Sequence, residues 1–271
     1  MYVFVCHDDP DSIFTAIYDA WASRLGHKNI RILAKEPENY ELFCEYIHVT
    51  ADAEKSRKVA DTMRRRLGAS PSQILFQAIM ADESGIAGSR RRSSCSSFSI
   101  TKADALYRTL LLAFSMEHPD HVLECLGNPY ILYLFELSRS VQNEAHHLLG
   151  FLRFKELRSG ILFSEIHPKN DILPILGEHF CDRLPQENFM IYDATRKQAL
   201  IHRAGAFDFL IADASTLDQD LIRNYSDSEL EYQKLWCGFF ESITIEARRN
   251  PALQNQNIPK RFQKDTVEFQ N

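Results

Sequence analysis

The run Leu137-Ser-Arg-Ser-Val-Gln-Asn-Glu-Ala-His-His-Leu-Leu-Gly150 gathers groups able to hold an anion and to move a proton. Side chains on a helix realign every three or four positions, so Arg139, Asn143 and His146 form one polar row. Leu134, Leu137, Val141, Ala145 and Leu148 fall on the opposite stripe, which is expected to be buried. A guanidinium and a carboxamide in such a row can grip a phosphate, and an imidazole can exchange its proton. Glu144 and His147 stand three apart, within reach of a hydrogen bond that would raise the imidazole's basicity. Glu144 with His146 is the acid–base pair this segment offers. The competing reading of the same pattern is a solvated helix face. His146 and His147 are adjacent and cannot both meet one ion from one side of a helix, so no metal is expected.

Other basic groups lie downstream. Arg153 sits in Phe151-Leu-Arg-Phe154, where strand alternation would put it on the face of Phe151. His179, Phe180 and Arg183 fall on a short helix, and Tyr192-Asp193 ends a strand. Arg248, Lys260 and Arg261 belong to the C-terminal segment, with Phe262 beside the last two. Cations next to an aromatic ring suit phosphate contact with base stacking, or a tail that docks back through Leu253, Ile258 and Phe262. Near the start, His7, Asp8, Asp9 and Asp11 cluster where a strand gives way to a helix. Acid–base or metal work is conceivable there, but Asp11 or Ser12 as a plain helix cap is the preferred reading. The chain has no glycine-rich phosphate loop, dinucleotide fingerprint or nucleophile elbow.

The elements that must position these groups can be read in order. Tyr2–Cys6 reads as a buried strand, and Ile13–Leu25 as a helix. Leu42–Thr50 is a possible further strand. Thr50 is the expected cap of a basic helix ending near Gly68, and Ser72–Met80 the next helix. Helices follow over Lys102–Glu117, Asp120–Leu126 and Asn128–Leu149. Gly150–Leu157 and Gly160–Ile166 look like strands, Ile172–Leu184 a helix, and Phe189–Asp193 with Gln198–Arg203 a hairpin. Phe207–Ala212 adds a strand. Connections this short favour antiparallel pairing. Ser226–Arg249 is a helix with Tyr232, Trp236, Phe239, Ile243 and Ala247 on one face. The fold expected is α+β: residues 1–149 helical with one leading strand, residues 150–271 an antiparallel sheet of about five strands with a long helix and tail. These two regions would form one compact unit.

The 271 residues carry a formal charge of −6, against a wholly basic nucleic-acid coat. The charge is uneven. Lys55–Lys102 holds ten Lys/Arg and three Asp/Glu, a balance of +7, and Phe207–Tyr232 holds seven acids against Arg223, a balance of −6. A polyanion is drawn to the first and repelled by the second. The six cysteines show no metal-ligand spacing. Without a signal peptide or membrane-length apolar run, the cytoplasm is the expected compartment, with no membrane association.

Taken together, Arg139-x-Val141-x-x-Glu144-x-His146-x-Leu-Leu-Gly-Phe-x-Arg153-Phe, Pro168-x-Asn170-x-Ile-Leu-Pro174, His179-Phe180-x-x-Arg183-Leu-Pro, Ile191-Tyr-Asp193 and Leu235-Trp-x-x-Phe-Phe-x-x-Ile243-x-Ile-Glu-x-Arg248-x-Asn250-Pro resemble a bacterial family described as DNA repair or DNA metabolism proteins. Pro259-Lys-Arg-Phe262 and Ile13-Phe-Thr-Ala-Ile-Tyr-Asp-Ala-Trp21 extend the likeness over nearly the whole chain. The sequence departs from that pattern at Gly88–Ser97, a Ser/Arg-rich insertion, and in Gln263-Lys-Asp-Thr-Val after Phe262.

The resemblance implies a domain of unknown function encoded beside a radical SAM protein that modifies or repairs DNA. A related domain is fused to uracil-DNA-glycosylase-like proteins. That warrant is association, not chemistry. The expected role is therefore a DNA-processing accessory protein with a radical SAM partner, and with DNA as a further possible partner. It would contact phosphate through Arg139, Asn143, Arg153, Arg183, Arg248, Lys260 and Arg261. A non-catalytic adaptor for the radical SAM enzyme, and a hydrolase of nucleotides or damaged bases using His146, are the alternatives. No cofactor of its own is expected.

Overall fold

In a computed structural model of the chain, the described residues are 1–85, 100–263 and 266–269. The insertion at Gly88–Ser97 lies outside them. The chain divides into two compact units, Met1–Gln142 and Asn143–Asn271, and the division falls within one long helix rather than at its end.

The first unit is built on a three-stranded parallel sheet in the order β2-β1-β3. Strand β1 (Tyr2–Val5) is a continuous apolar run, as a central parallel strand covered on both faces must be. Val3 pairs with Arg31 of β2 (Ile30–Leu33) and with Tyr46 of β3 (Glu45–His48). Among its described residues the N-terminal half therefore holds, besides the leading strand, β3 within the possible strand Leu42–Thr50 and the unanticipated β2. β2 is only four residues long, too short for its alternation of buried and half-buried positions to stand out in the sequence.

Helix α1 (Pro10–Ala22) starts from Asp9, whose carboxylate accepts from Ser12 N at 2.8 Å. Asp9 is thus the cap, in place of Asp11 or Ser12, and Asp11 instead accepts from Ser56 Oγ at 2.6 Å. Helix α2 (Ala53–Leu67) is capped by Asp52, not Thr50, through Glu54 N and Lys55 N. Gly68, at φ +86°, turns the chain directly into α3 (Ala69–Ile79), a conformation a Cβ would strain. Helix α4 (Lys102–Ser115) begins at the Thr101 cap. Ile13, Ile30, Ile32, Leu67, Leu75, Ile79 and Leu106 are fully buried. Each apolar side chain of this size contributes roughly 1.5–3 kcal/mol on burial.

Helix α5 (Pro129–Phe151) buries Leu134, Leu137, Val141, Ala145 and Leu148, the stripe that periodicity assigned to the core. It runs on to Phe151, so Arg153 follows a helix end and is not in a strand. The second unit contains a five-stranded mixed sheet, β4 (Lys155–Glu156), β5 (Leu162–Ile166), β6 (Phe189–Asp193), β7 (Gln198–His202) and β8 (Phe209–Asp213), paired in chain order. The β5–β6 pair is parallel, against the all-antiparallel expectation. The physical reason is α6 (Leu173–Arg183), which supplies the crossover a parallel pair needs.

After α7 (Gln219–Ile222), α8 (Asp227–Ile243) is a long helix with no buried residue. The tail after it contains two short helices, α9 (Pro251–Asn257) and α10 (Lys260–Gln263). Among the described residues no helix is long and apolar enough to cross a membrane.

Candidate functional site

Glu144 projects inward from α5 and is only 2% exposed. Its carboxylate accepts from Lys169 N at 3.1 Å, Asn170 N at 2.8 Å and Asn170 Nδ2 at 2.7 Å, and Arg261 Nη1 lies 3.2 Å away. A buried carboxylate needs this degree of pairing, because each unmet partner costs desolvation without return. Glu144 therefore ties the loop before α6 and the helix α10 to α5. His147 does not share a hydrogen bond with it. That imidazole lies against Phe151 (ring centroids 5.9 Å) and Phe262 (5.6 Å), in an aromatic cluster.

The remaining residues of the expected site scatter in environment. Arg139, Asn143 and His146 are exposed on α5, as the polar row requires. The Arg153 guanidinium donates to Gly150 O at 2.9 Å and Leu152 O at 3.2 Å, closing the open end of α5. Arg183 is exposed in the last turn of α6, and Arg248 is exposed in a 3₁₀ turn after α8. Lys260 is exposed on α10, whereas Arg261 is engaged by Glu144 and lies over the Phe262 ring at 4.4 Å. Phe262 is buried, so the tail docks through it, while Leu253 stays exposed. Asp193 is fully buried. It accepts from Thr195 N and Arg196 N and pairs with the Arg196 guanidinium, which makes it the organiser of the β6–β7 turn.

At the C-terminal end of β1, the acidic cluster is used up in structure. Lys102, 3% exposed, pairs with Asp8 at 2.5 Å and donates to Ala81 O at 2.6 Å. Glu83 accepts from Lys102 N and from Tyr133 Oη, each at 2.7 Å. Burial pushes the Cys6 thiol up to about 12, helped by the charges of Asp9 and Asp8, so it stays protonated and unreactive. Among the described residues no group of three or more His, Cys, Asp or Glu could hold a metal ion.

A different feature of the first unit has the makings of a binding site. Helices α1, α2 and α4 enclose an open groove of about 780 Å³. Tyr18, Trp21 and Phe114 supply its aromatic wall, with Trp21 edge-on to Phe114 at 5.7 Å. Lys58, Arg65 and Arg66 supply its rim, with Arg66 over the Phe114 ring at 5.7 Å. Lys58 also pairs with Glu54 at 2.7 Å on the exposed face of α2. Trp21 is 40% exposed, so part of the indole remains open to solvent in the groove. The positive balance of Lys55–Lys102 pointed to this region. The aromatic half was hidden because α1 and α4 supply it from far along the chain.

The model of one family, described as a domain of unknown function (DUF4130), matches residues 101–268. No curated protein matches the chain.

Proposed function

We propose, from the premise that the chain belongs to the DUF4130 family of unknown function, that it is a nucleic-acid-contacting accessory protein of DNA repair in bacteria. The observation that carries this reading is the groove of the first unit, where aromatic rings and cations share one concave surface. Stacking on such rings is tolerant of base identity, and cations on the rim track the phosphates. The resemblance carried by the motifs from Arg139 to Phe262 supports the setting, in the cytoplasm beside a radical SAM protein that would carry out the chemistry on DNA. In this reading Trp21 and Phe114 stack an unpaired base while Arg65 and Arg66 hold its neighbouring phosphates. Arg139, Asn143 and His146 form a secondary polar row on α5.

The test is fluorescence anisotropy of a labelled single-stranded oligonucleotide across a salt series. Affinity is expected to fall linearly on a log–log plot, with a slope of about −0.7 for each phosphate neutralised. Replacing Arg65 and Arg66 by Ala flattens that slope by about 1.4. Trp21→Ala weakens binding by about 1–3 kcal/mol at every salt concentration. Absence of binding at low salt, or a slope untouched by the double arginine change, defeats the proposal. The hydrolase alternative draws less support from the geometry, since the Glu144 carboxylate is committed to Asn170, Lys169 and Arg261 and offers no base to His146. His146→Ala is expected to leave oligonucleotide affinity within twofold.

A further inference from the structure

Helix α8 carries a row of large apolar side chains facing outward. Tyr232, Leu235, Trp236, Phe239 and Ile243 are between 44 and 69% exposed. They recur at the spacing by which an amphipathic helix anchors in a groove. The opposite side of the helix is already served, with Phe240 against Phe269 at 6.1 Å and Cys237 close to Val267. The helix is acidic: Glu231 and Glu241 stand against Lys234, while Asp227 pairs with Arg158 at 2.8 Å and Glu229 accepts from Glu156 N at 3.1 Å.

The groove of the first unit has the complementary character. Its walls are apolar, its rim is Lys58, Arg65 and Arg66, and among the described residues no acidic one lines it. The sizes agree as well. At 1.5 Å per residue, the rim from Lys58 to Arg66 runs about 12 Å, and the anchors from Trp236 to Ile243 run about 10 Å.

We infer that α8 of one copy docks in this groove of a second copy, with Trp236, Phe239 and Ile243 as its anchors. Reciprocal docking closes a dimer with two equal seats. Acidic flanks against a basic rim set the orientation of the helix. The dimer stands whether or not nucleic acid enters the groove. Where nucleic acid does enter, it displaces α8.

Sedimentation velocity of the full chain tests this. The wild type is expected to move from monomer to dimer with rising concentration, complete by about 0.1 mM, as interfaces of moderate affinity do. Phe239→Asp on the helix, or Arg65→Glu with Arg66→Glu on the groove, holds the chain monomeric. All three positions are exposed or at a groove rim, and circular dichroism checks that the variants fold. An equimolar mixture of the helix variant and the groove variant recovers a weaker dimer, because one seat of the pair is intact. A monomer at every concentration overturns the inference, as does a dimer that both variants leave unchanged or a mixture that stays monomeric. Oligonucleotide binding separates the two proposals. Phe239→Asp leaves it intact, while the groove variant abolishes it; a wild type that binds the oligonucleotide but stays monomeric at every concentration sinks only the α8 contact, and a wild type that dimerises but binds none sinks only the nucleic-acid reading.

Discussion

Two carboxylates, Glu144 buried and Glu83 half-buried, show how side-chain environment decides what a residue can do. Glu144 has its oxygens occupied by two backbone amides, a carboxamide and a guanidinium. Glu144→Ala leaves those donors without an acceptor, and unfolding in urea should report a loss of about 2–4 kcal/mol. Unchanged stability would return Glu144 to the set of groups free for chemistry. Glu83 answers to pH. Burial raises its carboxyl above the ordinary 4.5, against the opposing hydrogen bonds from Tyr133 and Lys102 N and the Lys102 charge. Between 4.5 and the raised native value the folded chain keeps a proton that the unfolded chain has released. More protons bound in the native state means that stability falls as pH rises through that window and levels off above it. Asp104, also raised by burial, adds a slope of the same sign. Glu83→Gln keeps an oxygen to accept from Tyr133 and Lys102 N, and should flatten the decline in a series of thermal melts. A decline as steep as that of the wild type would assign the slope elsewhere.

At the scale of elements, α6 packs on the sheet so closely that a Cβ at Gly177 would stand 2.6 Å from Leu200 Cδ1 and 2.7 Å from Phe209 Cζ. Leu200 is fully buried and cannot retreat without displacing its neighbours. Gly177→Ala should therefore destabilise by about 1–3 kcal/mol, seen as a lower urea midpoint, whereas in an open helix the same change would stabilise. A raised midpoint would mean that the α6–sheet contact is looser than the distances imply. The same closeness explains which elements were legible beforehand. The α5 stripe and the β6–β7 hairpin follow from local period and turn residues, and both appeared where expected. The parallel β5–β6 pair, the strand β2 and the Glu144 clasp depend on partners more than 20 residues away, which no local pattern encodes. Capping shifted by two residues at both α1 and α2 because several Asp, Ser and Thr compete for each helix start. The groove was half legible, its arginines as a charge run and its rings only as ordinary core candidates.

For the molecule as a whole, charge has to be weighed at two ranges. The net −6 repels a polyanion at a distance, yet the helix α2 carries six Lys/Arg against Glu54 and Asp61. Long-range repulsion acts on the approach and is damped within about 10 Å at 0.1 M salt. Close phosphate contacts instead set how many counterions are released. The two are separable by experiment. Changing Asp218, Asp220 and Asp227 to Asn removes three charges from the acidic Phe207–Tyr232 segment without touching the groove. Stopped-flow association with a single-stranded oligonucleotide should then speed up several-fold at low salt and converge with the wild type at high salt. The equilibrium salt slope should stay the same, because the number of phosphates contacted is unchanged. If the slope itself steepens, the acidic segment borders the bound strand directly, and its charges then belong to the contact and not only to the approach.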